Sequence, residues 1–169
     1  MKVKLFVSAV LLMSFVLGFR VDGSGKGIAT YITVWEHAAR MLIHDNVWHL
    51  AGNLLVLWLM RMPLYLMIGM LIGFVCSWLP VLPGVWELLG IVETTATSVT
   101  VGFSGVLFAI IGVKWGKACC DGIATYVTVC KKLGPVVVAG AFLPYLNWCL
   151  HLYCLLAGLV YGRMRSAGN

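Results

Sequence analysis

Four isolated polar side chains lie within otherwise apolar stretches of this sequence, and their types are those that acyl transfer requires. Ser104 lies between glycines in GFSG, His151 begins HLYC, and His49 and Asn53 lie four residues apart in HLAGN. A serine can act as a nucleophile when a histidine accepts its proton. Further hydrogen-bond donors can stabilise the oxyanion that forms. The four residues therefore point to acyl-transfer chemistry.

Each of these residues also has a purely structural interpretation. A serine in an apolar helix commonly bonds to its own backbone, and a histidine there can join two helices or relay protons. The six acidic residues all lie outside the apolar stretches, which makes a metal site or a proton pathway the weaker explanation. We assign no role to His44. It is five residues from His49, which would place the two side chains on different faces of a helix. On balance the residue types favour chemistry.

The elements that must position these residues are predicted to be membrane-spanning helices. Of the 169 residues, 62% are hydrophobic and 11% are charged. The apolar runs are roughly 14 to 20 residues long, which suits a bilayer. We predict an all-α polytopic membrane protein with a single six-helix domain over residues 1–169. Its expected spans are approximately 4–19, 47–60, 64–79, 104–116, 130–146 and 148–163.

Two of these spans have alternatives or weak points. Residues 1–19 combine a basic tip with an apolar run, as a secretory signal peptide does. No small-x-small cleavage site follows, so we favour an uncleaved span. In the fifth span, Gly134, Pro135 and Pro144 leave little uninterrupted helix. The side chains of Lys131 and Lys132 can extend to the membrane interface, which would lengthen that span.

The distribution of basic residues predicts the orientation. With the N terminus inside, the cytoplasmic ends of the spans hold nine Lys and Arg residues and the outer loops hold three. This bias predicts that both termini are cytoplasmic, and that the four polar residues share one depth near the outer face. The net charge is +6, but the basic residues are scattered singly between the apolar runs, so they do not indicate nucleic-acid binding.

Small residues recur every four positions after both Ser104 and His151. Such rows let helices pack closely in membranes, which would bring His151 within reach of Ser104. Gly105 would leave room for the sixth helix, and Gly102 would let the loop turn sharply into the fourth. After Ser104 these small residues are the pair Gly105 and Ala109, then the pair Gly112 and Gly116, and after His151 they are Cys154, Gly158 and Gly162.

Three motifs resemble those of the rhomboid intramembrane serine proteases. GFSG at 102–105 resembles the family's G-x-S-G motif, and HDNVWHLAGN at 44–53 resembles its second-helix pattern. HLYCLLAG at 151–158 is similar to its sixth-helix histidine and glycines. The resemblance covers the six-helix core, essentially the whole chain. It implies Ser104 as nucleophile and His151 as general base. It also implies an oxyanion site formed by the Ser104 backbone amide with His49 and Asn53.

The sequence departs from the family pattern in places that remove no catalytic group. Cys154 stands where the family usually has glycine, which would move the fourth and sixth helices slightly apart. The first loop lacks the adjacent Trp-Arg pair common in the family. Phe108 occupies a position where an aromatic ring supports the catalytic histidine in relatives. That ring would replace the acid that orients the base in a triad.

The sequence therefore predicts a rhomboid-like serine endopeptidase that needs no metal or other cofactor. Its expected partners are single-span membrane proteins, cleaved near the outer face at helix-weakening small residues, together with the lipid bilayer. We expect a bacterial inner membrane as its location. Two alternatives stay open: a catalytically inactive relative that only binds membrane proteins, and a small transporter or channel that uses His49 and His151 for protons.

Overall fold

In its described parts the chain is entirely helical, as the sequence predicts. A computed structural model describes residues 1–17, 38, 40–44, 46–60, 65–79, 85–91, 102–142 and 148–167, and within these ranges there is no strand. None of the helices in these ranges has both the length and the hydropathy needed for a membrane crossing.

Six helices longer than two turns make up the described fold. A single helical turn, Val85–Leu88, lies between the third and the fourth of them. The six are α1 (Lys2–Val16), α2 (Val47–Leu59), α3 (Leu66–Cys76), α4 (Ser104–Cys120), α5 (Tyr126–Ala141) and α6 (Trp148–Ala167).

Capping side chains determine where two of these helices begin. The side chain of Asn46 accepts a hydrogen bond from the His49 N–H at 2.9 Å, so α2 starts at Val47. The hydroxyl of Thr125 accepts from the Thr128 N–H at 3.2 Å, so α5 starts before the span expected from hydropathy. These caps satisfy backbone donors that have no partner inside the helix.

The helix α5 differs from the sequence expectation, because it continues through Gly134 and Pro135 without interruption. A proline inside a helix forfeits one backbone hydrogen bond and clashes with the preceding turn. Here the remaining helical bonds persist on both sides. The helix lies at the edge of the fold, with only Val129 and Gly140 buried.

The pair α4 and α6 packs backbone against backbone. A Cβ atom on Gly112 would collide with the carbonyl oxygen of Leu155, and one on Gly158 would collide with that of Ala109. Gly105 is less constrained, since its Cβ would lie 3.3 Å from Cδ2 of Leu150. The tightest contacts therefore lie one to three turns beyond Ser104, between Ala109 and Gly116, and they hold the two helices side by side in parallel.

The helices α1, α2 and α3 also pack against α4. Val106 and Ile110 are buried in a core cluster that also contains Leu11 of α1 and Leu50 of α2. The helix α3 approaches through Gly69, where an added Cβ would lie 2.7 Å from Cγ1 of Ile110. Since α4 contacts helices on several sides, its first residue is held in a fixed place.

Candidate active site

Ser104 is the first residue of α4, and the turn before it is anchored to the segment that precedes α2. Gly102 has a φ of 109°, a conformation that a residue with a Cβ rarely adopts. Its N–H donates to the carbonyl oxygen of Arg40 at 2.9 Å. An added Cβ would also lie 2.5 Å from Cε1 of His49. Conformation and space therefore both require glycine at this position.

The structure places the His151 imidazole against the Ser104 hydroxyl. Nε2 of His151 lies 2.7 Å from Oγ of Ser104, so an unprotonated Nε2 accepts the hydroxyl proton. His151 is 7% exposed, and Ser104 is half-buried. The two residues are 47 positions apart in the sequence. The glycine contacts between α4 and α6 bring them together.

The ring of Phe108 covers one face of His151. The two ring centroids lie 4.5 Å apart, with an interplanar angle of 13°. Phe108 is one turn after Ser104 on α4, so the same helix carries both residues that contact the imidazole. Stacking restricts the tilt of the imidazole, which leaves Nε2 directed at the serine.

A second group of side chains lies where α2 begins. The Nδ2 amide of Asn53 lies 2.8 Å from Nε2 of His44, and both residues are 6% exposed. Nδ1 of His44 donates to the carbonyl oxygen of Leu42 at 3.2 Å. Nε2 is therefore the acceptor, and it takes hydrogen bonds from the Asn53 amide and, at 3.4 Å, from the Phe103 N–H.

His49 completes this second group. Its ring meets that of His44 edge to face, with centroids 5.0 Å apart. A Cβ built on Gly102 would lie 2.6 Å from Nε2 of His49 and 3.5 Å from Nδ2 of Asn53. The two nitrogen atoms thus lie on the same side of Gly102, two positions before Ser104.

The sequence expectation that His44 lies on another face was wrong. Helical periodicity does not extend back to residue 44, because Asn46 is the N-cap and the helix begins only at Val47. Burial, the largest cause, and the nearby charge of His49 lower the pKa of His44 to about 4, against the opposing effect of its bond to Leu42. His44 is therefore neutral at pH 7 and keeps Nε2 as an acceptor. The signal in the sequence was that His44 opens the HDNVWHLAGN motif at 44–53.

Side chains that could bind a metal ion are dispersed in the described parts of the chain. Within these ranges no group of three or more His, Cys, Asp and Glu side chains has an arrangement that holds a metal ion. The six cysteines are all free thiols.

The comparison with known proteins identifies a family. A family model described as the Rhomboid domain matches residues 32–168. The matched range includes both groups of side chains at the starts of α2, α4 and α6. The chain matches no curated protein and no solved structure.

Proposed function

Because this chain belongs to the rhomboid family, we propose that it is an intramembrane serine endopeptidase. Ser104 is the nucleophile and His151 is the general base. The observation that carries the proposal is the 2.7 Å contact between Oγ of Ser104 and Nε2 of His151. A nucleophile within hydrogen-bond reach of an oriented base is the arrangement that covalent catalysis requires.

The proposed reaction proceeds through an acyl-enzyme. Oγ of Ser104 attacks the carbonyl carbon of the scissile peptide bond while its proton passes to Nε2 of His151. The imidazolium then gives that proton to the departing amine as the C–N bond breaks. A water molecule, deprotonated by His151, hydrolyses the ester and regenerates Ser104.

Three donors are proposed to stabilise the oxyanion. The first is the backbone N–H of Ser104, which has no partner within the helix because it lies in the first turn. The others are the side chains of His49 and Asn53, whose nitrogen atoms both lie beside Gly102. Donors fixed before the reaction stabilise the developing charge without reorganisation. His44 holds the Asn53 amide and is a positioning residue in this scheme.

Phe108 takes the place of a third catalytic residue. In a triad a buried carboxylate orients the histidine. Here the stacked Phe108 ring performs that role at 4.5 Å from the imidazole. The ring adds no charge, so it orients the base without raising its proton affinity.

The substrates are proposed to be single-span membrane proteins, cleaved near the outer face where small residues weaken the helix. We place the six helices in a bacterial inner membrane, with both termini cytoplasmic, on the basis of the nine-to-three bias in basic residues. A reporter fused after Arg165 should then be cytoplasmic, and one inserted near Glu87 should be external. Finding both reporters on one side would contradict this topology.

Labelling with a fluorophosphonate probe tests the nucleophile. The unmodified protein should be labelled. The Ser77→Ala control should be labelled as well, because the Ser77 hydroxyl bonds to the carbonyl oxygen of Phe74 and takes no part in the proposed reaction. Ser104→Ala should not be labelled, and His151→Ala should be labelled far more slowly. Labelling that persists in Ser104→Ala would refute the assignment. A folded protein that takes no label would favour the inactive binding protein.

A further inference from the structure

A polar cavity lies between α3, α4 and α6 at the end remote from Ser104. Its volume is about 100 Å³, and a water molecule takes about 30 Å³ in the liquid. The cavity therefore has room for a group the size of a phosphate. Its lining residues are Tyr65, Val113, Lys117, Gly162, Arg165 and Ser166.

The lining supplies two cations and two hydroxyls but no carboxylate. Lys117 forms an ion pair with Asp121 at 2.8 Å, and its ammonium donates to Oγ of Ser166 at 3.3 Å. The Ser166 hydroxyl donates in turn to Asp121 at 2.8 Å. This network fixes Lys117 and Ser166 beside the cavity. Asp121 compensates only one of the two positive charges.

Arg165 provides the second charge, and most of its donors are available. A guanidinium carries five N–H donors. In the described part of the chain, the Arg165 side chain donates to one acceptor, the Tyr161 hydroxyl, at 3.2 Å. Arginine can bind two phosphate oxygens in a bidentate geometry that lysine does not reproduce.

Two other basic residues, Arg163 and Lys132, do not line the cavity. Arg163 lies over the Tyr126 ring at 5.7 Å, and Lys132 lies over the Trp115 ring at 5.5 Å. We propose that the cavity binds a phosphate group, with Arg165 and Lys117 as its charge partners. Under the proposed topology this end faces the cytoplasmic leaflet, where anionic lipid headgroups present phosphates. Soluble phosphate has the same chemistry.

The proposal does not depend on the chemistry at Ser104, so binding is measured on Ser104→Ala protein as well as on the active chain. Titration calorimetry in a maltoside detergent would use three ligands: dihexanoyl phosphatidylglycerol, inorganic phosphate and dihexanoyl glycerol. The last has the same acyl chains and no phosphate. The variants are Arg165→Gln, Arg165→Lys and the control Arg163→Gln, whose arginine lies on the same helix but outside the cavity. Circular dichroism confirms that each variant is folded.

We expect Arg165→Gln to bind the phospholipid about tenfold or more weakly, since a charge-assisted hydrogen bond is lost. Arg165→Lys should be intermediate, and Arg163→Gln should bind like the unmodified protein. Binding of the phospholipid alone identifies a headgroup site, and competition by inorganic phosphate identifies a site for free phosphate. Equal loss in Arg163→Gln and Arg165→Gln, equal binding of dihexanoyl glycerol, or no binding by the unmodified protein would overturn the proposal.

Discussion

The side-chain amide nitrogen of Asn53 lies 2.8 Å from Nε2 of His44, so a residue ahead of α2 fixes a donor inside it. His44 can accept there because its other ring nitrogen donates to Leu42. The same Nε2 accepts from the Phe103 N–H, immediately before Ser104. One imidazole thus connects the start of α2 to the start of α4.

A double-mutant cycle of His44→Ala and Asn53→Ala tests whether His44 acts through Asn53. Loss of one oxyanion donor costs roughly a hundred- to a thousandfold in rate, and Asn53→Ala should keep measurable activity because other donors remain. The double variant should be only slightly worse than Asn53→Ala, since coupled residues are not additive and the remaining His44 bond, to the Phe103 N–H, is long at 3.4 Å. Values of kcat/KM and thermal melts of all three variants provide the measurement. If the rate losses of the two single variants multiply in the double variant, His44 does not act through Asn53. A folded and fully active Asn53→Ala would contradict the oxyanion role of Asn53.

The burial of His44 predicts a pH-dependent stability. Its pKa is about 4 in the folded chain and 6.5 in the reference state. Between these values the unfolded chain binds a proton that the folded chain does not, so the free energy of unfolding should decrease as the pH falls from about 6.5 to about 4. Melting temperatures across this range, compared with those of His44→Gln, isolate the effect. An identical pH slope in the variant would disprove it.

Phe108→Leu should lower kcat with little change in KM. An aromatic pair contributes about 0.5–1.5 kcal/mol beyond its burial, which corresponds to a loss of up to roughly tenfold in rate. Phe108→Tyr preserves the stacked ring and should keep most of the activity. Steady-state kinetics on both variants provide the measurement. Full activity in folded Phe108→Leu would mean that the ring does not orient His151.

Two glycine substitutions should have opposite effects on stability. Gly158→Ala places a Cβ against the Ala109 carbonyl oxygen, and overpacking of this kind costs about 1–3 kcal/mol. Because α6 also carries His151, activity should fall too. Gly134→Ala meets nothing within 4 Å and should stabilise α5 by roughly 1 kcal/mol. Unfolding measurements on both variants test the contrast, and a neutral Gly158→Ala would show that the helices can separate.

Chelators should leave cleavage unchanged, because the proposed reaction uses only serine, imidazole and amide groups. Cleavage assays with and without EDTA provide the measurement. Loss of activity in EDTA that zinc restores would be incompatible with the serine mechanism.

The sequence by itself determined the features that depend on local chemistry and composition. Its apolar runs predicted an all-helical chain, and the GFSG, HDNVWHLAGN and HLYCLLAG motifs indicated the rhomboid family, which the match over residues 32–168 confirms. Capping and turn residues such as Asn46 and Gly102 act on their immediate neighbours. Such effects extend over a few residues, so they can be read along the chain.

Only the tertiary structure decided how the separate helices place their side chains. Ser104 and His151 are 47 positions apart, and no spacing rule converts that separation into a distance. Backbone contact at Gly112 and Gly158 sets it. The position of the His44 side chain could not be predicted from helical periodicity, because residue 44 lies outside the helix. Its partners Asn53 and Phe103 belong to different segments of the chain. Likewise, the phosphate-sized cavity exists only where three helices meet, since each contributes one part of its wall.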